Sequence, residues 1–479
     1  MMTETNRLTV DYLETLPEVD LQVVDPLLAE ALKSLNKKII VLDDDPTGVQ
    51  TVHDISVFTD WSEESIEQGF NEEQSMFFIL TNSRGFTAEE TEKAHQEIAA
   101  SIVTVASKLN REFLIISRGD STLRGHYPLE TTVLKDTLES GSDLKIDGEV
   151  LLPFFKEGGR LTINNIHYVQ NGQELVPAGE TEFAKDRTFG YASSHLGEWI
   201  EEKSNGLFLA KDTLYISLEQ LRAMEIGSIT EQLLQVNDFN KVVVNAVDEV
   251  DVKVFTIALV NAINAGKNFL FRSAAALPKV MGGVSNKALL TREELIIEET
   301  GNGGLVIIGS HVKKTTEQLE ELKELTEIEF IEFNSHLVLQ PEAFQAECDR
   351  VIETTESVIR SGKTVAVYTS RKRLDLGEDK KEEELKMSVT ISDAVTSIVT
   401  RLQVKPNFLV AKGGITSSDV GTKGLKVRRA TVAGQIRPGI PVWRTGDESK
   451  YPGMSYIIFP GNVGTKSDLK AVVEILSNK

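Results

Sequence analysis

The chain has 479 residues, which is long enough for two domains, because a single hydrophobic core rarely grows beyond about 300 residues. Its content of 41% hydrophobic and 26% charged residues is ordinary for an α/β enzyme. The formal net charge of -22 argues against binding to nucleic-acid phosphates as the main function, since such binding needs an organised basic surface. A small anionic substrate is compatible with this charge, because a few arginines in one cleft can bind it.

The cysteine content and the N-terminal segment favour a cytoplasmic protein. Cys348 is the only cysteine, so the chain can form no intrachain disulfide and no zinc site built from several cysteines. Residues 1–25 are polar and acidic, unlike a secretion signal, and no apolar run approaches the roughly 20 residues that span a membrane. We therefore expect neither a membrane partner nor a nucleic-acid partner.

The first half of the chain predicts alternating strands and helices. A short helix is expected from Pro26, with Asp25 as its cap. A capping box at Thr87 and Glu90 predicts the start of a long helix. The remaining apolar runs predict strands at 39–42, 55–59, 76–81, 112–117, 242–246 and 268–271, and helices at 87–110, 128–139 and 252–265. Apolar strands separated by helices are typical of a parallel sheet covered on both faces.

A second alternation begins after a weak pattern at 275–303. It predicts strands at 304–309, 328–333, 364–369 and 407–411, helices at 315–325, 341–361 and 392–402, and a solvated loop or helix end at 371–386. We therefore expect two α/β domains, each a mostly parallel sheet flanked by helices in three layers, with the active-site cleft between them. The expected division is an N-terminal extension at 1–37, a first domain at 38–285 and a second domain at 286–479.

Three predicted strand ends in the first domain combine charge, a hydroxyl and a glycine in one short loop. The carboxyl ends of parallel strands are where ligands bind to such sheets. The three loops lie at 43–48, 81–85 and 117–125. Their arginines can hold a carboxylate by forked hydrogen bonds, and their aspartates can orient or deprotonate hydroxyls. This pattern indicates a site for a small polyhydroxy acid, although each loop by itself is also compatible with a plain turn.

Further glycine-containing loops are candidates for anion binding. Gly158-Gly159 could present Arg160 to an anion, with a surface hairpin as the alternative. In the second domain, glycine-containing loops follow strands at 309–311, 412–418 and 459–465. Backbone N–H groups in such loops suit phosphate oxygens, but none matches a P-loop or a dinucleotide fingerprint. Plain turns therefore remain the alternative.

Several of these segments resemble the four-carbon acid sugar kinase family, in order from about residue 38 to 475. The matching segments are Asp44-Asp45-Pro46-Thr47-Gly48, Asp120-Ser121-Thr122-Leu123-Arg124-Gly125, Gly309-Ser310, Lys412-Gly413-Gly414-Ile415-Thr416-Ser417 and Gly461-Asn462-Val463-Gly464. The resemblance implies ATP-dependent phosphorylation of threonate, erythronate or an oxo-tetronate. It also implies that the first domain binds the sugar acid and the second binds ATP.

The resemblance and the strand-end pattern together nominate the site residues. The catalytic residues would be Asp45 and Asp120. The substrate contacts would be Asp44, Arg84, Arg118, Ser121, Arg124 and Arg160. The ATP contacts would be Ser310, Gly413, Gly414, Ile415, Thr416, Gly461 and Asn462. Mg²⁺ would accompany ATP, no metal-binding residue is nominated, and a homodimer is compatible with the family.

The chain departs from the family pattern at a few positions. Arg118-Gly119 stands where the family usually has a lysine, and His311 follows Gly309-Ser310 where a second small hydroxyl often lies. Asp43 is an extra acid, which we expect to be the least functional of the three. The alternative function is therefore a catalytically silent sensor that binds a sugar acid or a nucleotide.

Overall fold

The computed structural model describes residues 8–372 and 381–477. The strands are β1 Leu8–Thr9, β2 Lys38–Asp43, β3 Ser56–Phe58, β4 Met76–Leu80, β5 Phe113–Arg118, β6 Gly148–Leu152, β7 Arg160–Ile163, β8 Ile166–Asn171, β9 Glu174–Pro177, β10 Leu214–Ile216, β11 Asn240–Val244, β12 Phe269–Ser273, β13 Leu305–Ile308, β14 Glu329–Phe333, β15 Val365–Thr369, β16 Leu409–Lys412, β17 Arg429–Arg437, β18 Ile440–Thr445 and β19 Ser455–Phe459. The helices are α1 Leu21–Ser34, α2 Glu63–Asn71, α3 Ala88–Leu109, α4 Leu129–Gly141, α5 Leu196–Lys203, α6 Leu218–Arg222, α7 Ile226–Leu234, α8 Glu249–Asn264, α9 Ala276–Met281, α10 Arg292–Leu295, α11 Lys313–Leu322, α12 Pro341–Arg360, α13 Lys381–Arg401, α14 Gly414–Asp419 and α15 Asp468–Ser477.

The chain divides into two compact units. The first unit contains the described residues up to Gly48 together with Asp60–Ser285, and the second contains Val49–Thr59 together with the described residues from Asn286 onward. The segment Val49–Thr59 therefore groups with the second unit, whereas we had expected it in the first domain. The expected N-terminal extension includes α1, which packs against α8 of the first unit.

The first unit is built on a parallel sheet with the strand order β10-β11-β6-β12-β5-β2-β4. The residues of β4, β6 and β12 are all buried, as expected for strands covered by helices on both faces. A small antiparallel sheet with the order β1-β9-β8-β7 accompanies it. This second sheet was not predicted, since its strands are short and lack a continuous apolar run.

The second unit has a mixed sheet. Its parallel part has the order β14-β15-β13-β16-β19, and β18, β17 and β3 extend it with antiparallel pairing. The residues of β17 alternate between buried and half-buried, which is the period of two of a strand with one covered face. No strand was predicted here. The predicted fold class, two mostly parallel α/β domains flanked by helices, is confirmed.

Helices α1 and α13 differ most from the prediction. Helix α1 begins at Leu21 rather than at Pro26, because Asp20 caps it by accepting a hydrogen bond from the Gln22 N–H at 2.8 Å. Helix α13 begins at Lys381, so its charged first half continues the helix predicted from 392. The segment 371–386 was predicted as a solvated loop or helix end; its residues 381–386 lie in α13, and 373–380 lie outside the described residues. Within the described residues, every helix is too short or too polar to cross a membrane.

Candidate functional site

The three charged loops of the first unit meet at one edge of its sheet. Strands β2, β4 and β5 are parallel neighbours, and their last residues are in register, with Asp43 opposite both Leu80 and Arg118. The loops after these strands therefore begin at the same level. This explains why acids and arginines that are distant in sequence interact with one another.

Arg84 connects two of the predicted acids. It lies in a short 3-10 turn after β4, which begins beyond Asn82 in the left-handed conformation (φ 57°). Its Nε donates to Asp44 Oδ2 at 3.0 Å, its Nη2 donates to Asp44 Oδ1 at 2.5 Å, and its Nη1 donates to Asp45 Oδ2 at 3.3 Å. The other oxygen of Asp45 accepts from the Thr47 N–H at 2.9 Å. Asp45 therefore stabilises the predicted turn with one oxygen and contacts Arg84 with the other. Arg84 thus orients two carboxylates.

Asp43 is buried beneath this pair. One of its oxygens lies 3.4 Å from Arg118 Nη1, and a Cβ on Gly48 would overlap its carboxyl group. Burial raises the pKa of Asp43 to about 8, and the neighbouring carboxylates of Asp44 and Asp45 add to the effect, although Arg118 opposes it. At neutral pH the Asp43 carboxyl group is therefore mostly protonated.

Asp120 is held as a carboxylate. Arg124 Nε donates to Asp120 Oδ2 at 2.7 Å, and the Thr122 hydroxyl donates to the same oxygen. Burial opposes ionisation, but Arg124 and Arg84 outweigh it, and the pKa of Asp120 lies well below its usual range. Within the described residues Asp120 Oδ1 has no hydrogen-bond partner, so this oxygen is available to a ligand.

Two further arginines have unused donors. Arg118 and Arg160 are both buried, and the Nε of each has no partner among the described residues. Arg160 is the first residue of β7, its Nη1 donates to the Gly158 carbonyl, and its guanidinium lies over the Phe183 ring with that of Arg124. Burial lowers the pKa of Arg160, which indicates a cation that the surrounding residues compensate incompletely. Arg160 thus lies in an antiparallel strand pair and still has a donor that an anion could use.

The 119–125 loop is held in place by a buried histidine, His167. The buried His167 side chain donates from Nε2 to the Ser121 carbonyl at 2.8 Å, so its Nδ1 accepts from the Thr162 hydroxyl at 3.0 Å. Burial lowers the pKa of His167 to about 4, which keeps this ring neutral. Leu123 in the same loop has a φ of 69°, a strained conformation for a side chain of this size.

Arg272, which was not among the predicted site residues, supports this loop from strand β12. It lies on β12, is buried, and donates from Nη2 to the Arg124 carbonyl at 2.8 Å. A Cβ on Gly119 would overlap its guanidinium group, so this glycine is required for the close approach. Its Nη1 lies 3.6 Å from Glu130, which also accepts from the Ser83 hydroxyl at 2.9 Å beside Arg84. The charged end of an apolar strand was the signal that could have identified it.

In the second unit, the three glycine loops also converge. A Cβ on Gly413 would lie 2.9 Å from the Cβ of Ser310, and a Cβ on Gly461 would lie 3.3 Å from Ser310 Oγ. A Cβ on Gly309 would overlap the hydroxyl of Thr416. The loops after β13, β16 and β19 thus pack closely together, and the contacts at 309 and 413 leave no room for a Cβ. A further residue missed by sequence analysis, Arg371, donates from Nη2 to the Ser310 carbonyl at 2.6 Å.

The remaining predicted nucleotide contacts lie beside this glycine cluster. Gly414 and Ile415 form the first turn of α14, and the Ile415 side chain is 68% exposed, an apolar surface next to polar loops. Asn462 follows Gly461 and is half-buried. The described residues contain no cluster of three or more histidine, cysteine or acidic side chains that could hold a metal ion. Mg²⁺ commonly binds through one or two carboxylates and substrate phosphates, so this donor set is compatible with Mg²⁺ arriving on a nucleotide.

Comparisons with known proteins assign the charged loops and the glycine loops to two different domain families. Residues 39–281 match the family described as the sugar-binding N-terminal domain, and residues 305–469 match the one described as the nucleotide-binding C-terminal domain. No curated protein matches the chain.

Two solved structures are similar to the chain. Haemophilus influenzae protein HI1011, of the family DUF1537, has 18% sequence identity and a TM-score of 0.59 over 91% of this chain and 100% of its own. A Salmonella typhimurium LT2 protein carrying the name "putative tRNA synthase" has 16% identity and a TM-score of 0.62 over 90% of this chain and 98% of its own. At these identities the similarity shows a shared fold.

Proposed function

Because the chain belongs to the four-carbon acid sugar kinase family, with a sugar-binding N-terminal and a nucleotide-binding C-terminal domain, we propose that it is an ATP-dependent kinase of a small acid sugar. The substrate class would be a four-carbon acid such as threonate, erythronate or an oxo-tetronate. The observation that carries this proposal is the acid and arginine cluster at the strand ends of the first unit. It offers both carboxylate acceptors for hydroxyls and guanidinium donors for a carboxylate.

The guanidinium donors and the carboxylate acceptors would bind different ends of the substrate. Arg160, with its unpartnered Nε and incompletely compensated charge, is the candidate for binding the carboxylate of the acid. Arg118 offers a second unpartnered Nε, but its Nη1 already contacts Asp43. Arg84 is less available, since three of its donors already serve Asp44 and Asp45. Its proposed role is to orient these acids.

The two nominated catalytic acids would have separate roles. Asp120 is a weak base because its pKa is low, so its free Oδ1 is suited to orienting a substrate hydroxyl. Asp45 has the most exposed side chain of the three consecutive acids, at 13% compared with 3% for Asp44 and 2% for Asp43. We propose Asp45 as the group that accepts the proton of the attacking hydroxyl.

Phosphoryl transfer asks little covalent chemistry of a protein and depends on alignment and charge compensation. The glycine loops of the second unit would bind the ATP phosphates through backbone N–H groups. Mg²⁺ would neutralise phosphate charge, held through the phosphates rather than by a protein cage.

The test is a coupled ADP-release assay across C3–C6 sugar acids and the 2-oxo and 3-oxo forms of the C4 acids. We expect at least one C4 acid to stimulate ADP release, with Asp45→Asn and Asp120→Asn both strongly impaired. If no acid stimulates release, and a C4 acid or ADP still raises the thermal unfolding midpoint, the protein is a sensor rather than a kinase. Equal rates for wild type and Asp120→Asn would contradict the proposed site.

A further inference from the structure

The loop after β19, residues 460–464, has an unusual arrangement of its backbone groups. Within the described residues, the carbonyls of four consecutive residues all accept hydrogen bonds from side chains of the same unit. The donors are Lys412 for Pro460 and Gly461, Thr315 for Gly461 at 3.2 Å, Lys314 for Asn462 at 3.4 Å, and Gln318 for Val463 at 3.2 Å. The carbonyls of this loop are therefore turned towards β16 and α11, which carry these donors.

This orientation determines where the N–H groups point. In a trans peptide the C=O of one residue and the N–H of the next are antiparallel. The N–H groups of Gly461, Asn462, Val463 and Gly464 therefore face away from the side chains that bind the carbonyls. None of these four N–H groups has an acceptor in the part of the chain that the structure describes. A run of free N–H groups with a common direction is an anion-binding concavity.

Lys412 is the principal side chain behind the loop. It is the last residue of β16, is completely buried, and its ammonium group contacts two carbonyls and lies 4.1 Å from the centre of the Phe459 ring. Among the described residues no carboxylate forms an ion pair with it. A buried cation with no carboxylate in direct contact is costly, and an anion bound on the N–H side of the loop would offset this cost. Burial lowers the pKa of Lys412 well below its usual range, the nearby Lys314 adds to this shift, and the more distant Asp468 carboxylate opposes it.

Lys314 approaches the same loop from the surface. It lies in the first turn of α11, is exposed, and donates to the carbonyl next to the two that Lys412 binds. Two cations thus lie behind one row of free N–H groups in a chain with a net charge of -22. This local excess of positive charge favours an anion on the N–H side.

We propose that Lys412 and Lys314 are positioning residues for the polyphosphate of the nucleotide. They hold the carbonyls of 460–462 towards β16 and α11, so that the N–H groups of 461–464 face the phosphate oxygens. They also add positive charge on the carbonyl side of the loop. This inference rests on the proposed function, since it assigns the phosphate-binding surface of the same nucleotide site. It adds residues that neither the resemblance nor the sequence pattern had assigned a role.

The test measures binding of tripolyphosphate and ADP by calorimetry, without turnover. We expect Lys412→Met to weaken both by about tenfold or more, which is within the usual range of coupling between two sites. Lys314→Met should weaken them by about threefold at low salt and less at high salt, because an exposed charge is screened. Lys313→Met is the matched control, since Lys313 is on the same helix turn with a 91% exposed side chain.

A purely structural role for Lys412 predicts a different result. In that case Lys412→Met would lower the affinity for the sugar acid as much as that for tripolyphosphate, whereas we expect the acid affinity to be unchanged. Lys314 is exposed, so Lys314→Met should leave the thermal unfolding midpoint unchanged and provides an independent test. Unchanged tripolyphosphate binding in both variants, or no binding by the wild type, would overturn the inference. Lysine-dependent binding without acid-stimulated ADP release would overturn only the proposed kinase function.

Discussion

Arg84 binds the carboxylate of Asp44 through two parallel hydrogen bonds, from Nε to Oδ2 at 3.0 Å and from Nη2 to Oδ1 at 2.5 Å. Such a forked pair fixes both side chains in one plane, which a lysine cannot reproduce. Because Arg84 also contacts Asp45, Arg84 fixes the orientation of both acids, which in the proposed site would face the substrate. The relationship joins two loops that are about 40 residues apart in the chain, and it leads to the first prediction.

Arg84→Lys is expected to lower kcat by about 100-fold, since misplacing a reacting group by about 1 Å has an effect of this size. Steady-state kinetics with the best acid of the screen would measure it. Arg187→Lys is the control, because Arg187 is an exposed arginine of the same unit. A lysine variant with wild-type kcat would mean that the forked pair does not position the catalytic acid.

Asp45→Asn and Asp43→Asn are expected to differ strongly in turnover. Asp45→Asn removes the proposed proton acceptor and should lower kcat by about 100-fold or more. Asp43→Asn should stay within about twofold of the wild type, because a buried, protonated carboxyl group and an amide have nearly the same shape and charge. Comparing kcat for the two variants at pH 7 distinguishes their roles. A larger loss for Asp43→Asn would contradict our assignment of Asp43 as the least functional acid.

The stability of the wild type is expected to depend on pH through Asp43. The folded-state pKa of Asp43 is about 8, above its value in the unfolded chain, so only the folded state binds the proton between about pH 4 and 8. The contribution to stability is therefore fully present below about pH 4 and is lost progressively as the pH rises to about 8.

Asp43→Asn removes this dependence, because asparagine does not titrate. Its free energy of unfolding relative to the wild type should increase from pH 5 to pH 8 and level off above pH 8. Denaturant unfolding at pH 5, 6.5, 8 and 9 measures the difference. A constant difference across this range would indicate that Asp43 is ionised in the folded protein.

Arg160→Met is expected to raise KM for the sugar acid by about 10-fold to 100-fold, the effect of losing a hydrogen bond to a charged group. The KM for ATP should be unchanged. The amide of the same acid tests the assignment, because the wild type should bind it more weakly than the acid, whereas Arg160→Met should discriminate little between the two. If the variant still prefers the acid as strongly as the wild type, another arginine binds the carboxylate.

Gly119→Ala is expected to destabilise the protein by about 1–3 kcal/mol, because a new Cβ overlaps the buried guanidinium of Arg272. The affinity for the acid should fall with it, since the displaced loop carries Asp120 and Arg124. Gly227→Ala is the matched control. A Cβ there meets no atom within 4 Å, and replacing a helical glycine should stabilise the protein by up to about 1 kcal/mol. Equal thermal unfolding midpoints for the two variants would argue against the steric role of Arg272.

The amino-acid sequence by itself determined the fold class and the location of the charged loops. Apolar runs separated by capped helices predict parallel strands, and the carboxyl ends of such strands lie on one edge. The sequence pattern therefore predicts that three segments lie close together: the aspartates at 43–45, the arginine at 84 and the segment 118–124. The glycine loops at 309, 413 and 461 followed from the same reasoning.

The tertiary structure decided features that depend on contacts between distant residues. Arg272 is the last residue but one of a buried strand and Lys412 is the last residue of another, and their roles depend on loops that are far away in the chain. The raised pKa of Asp43 depends on burial, which a local pattern does not specify. The antiparallel strands at 160–177 and Arg429–Arg437 have polar or alternating residues, so pairing partners rather than local preference determine them. Local patterns thus specify elements and their polar ends, whereas burial, pairing and charge compensation arise only when those ends are brought together.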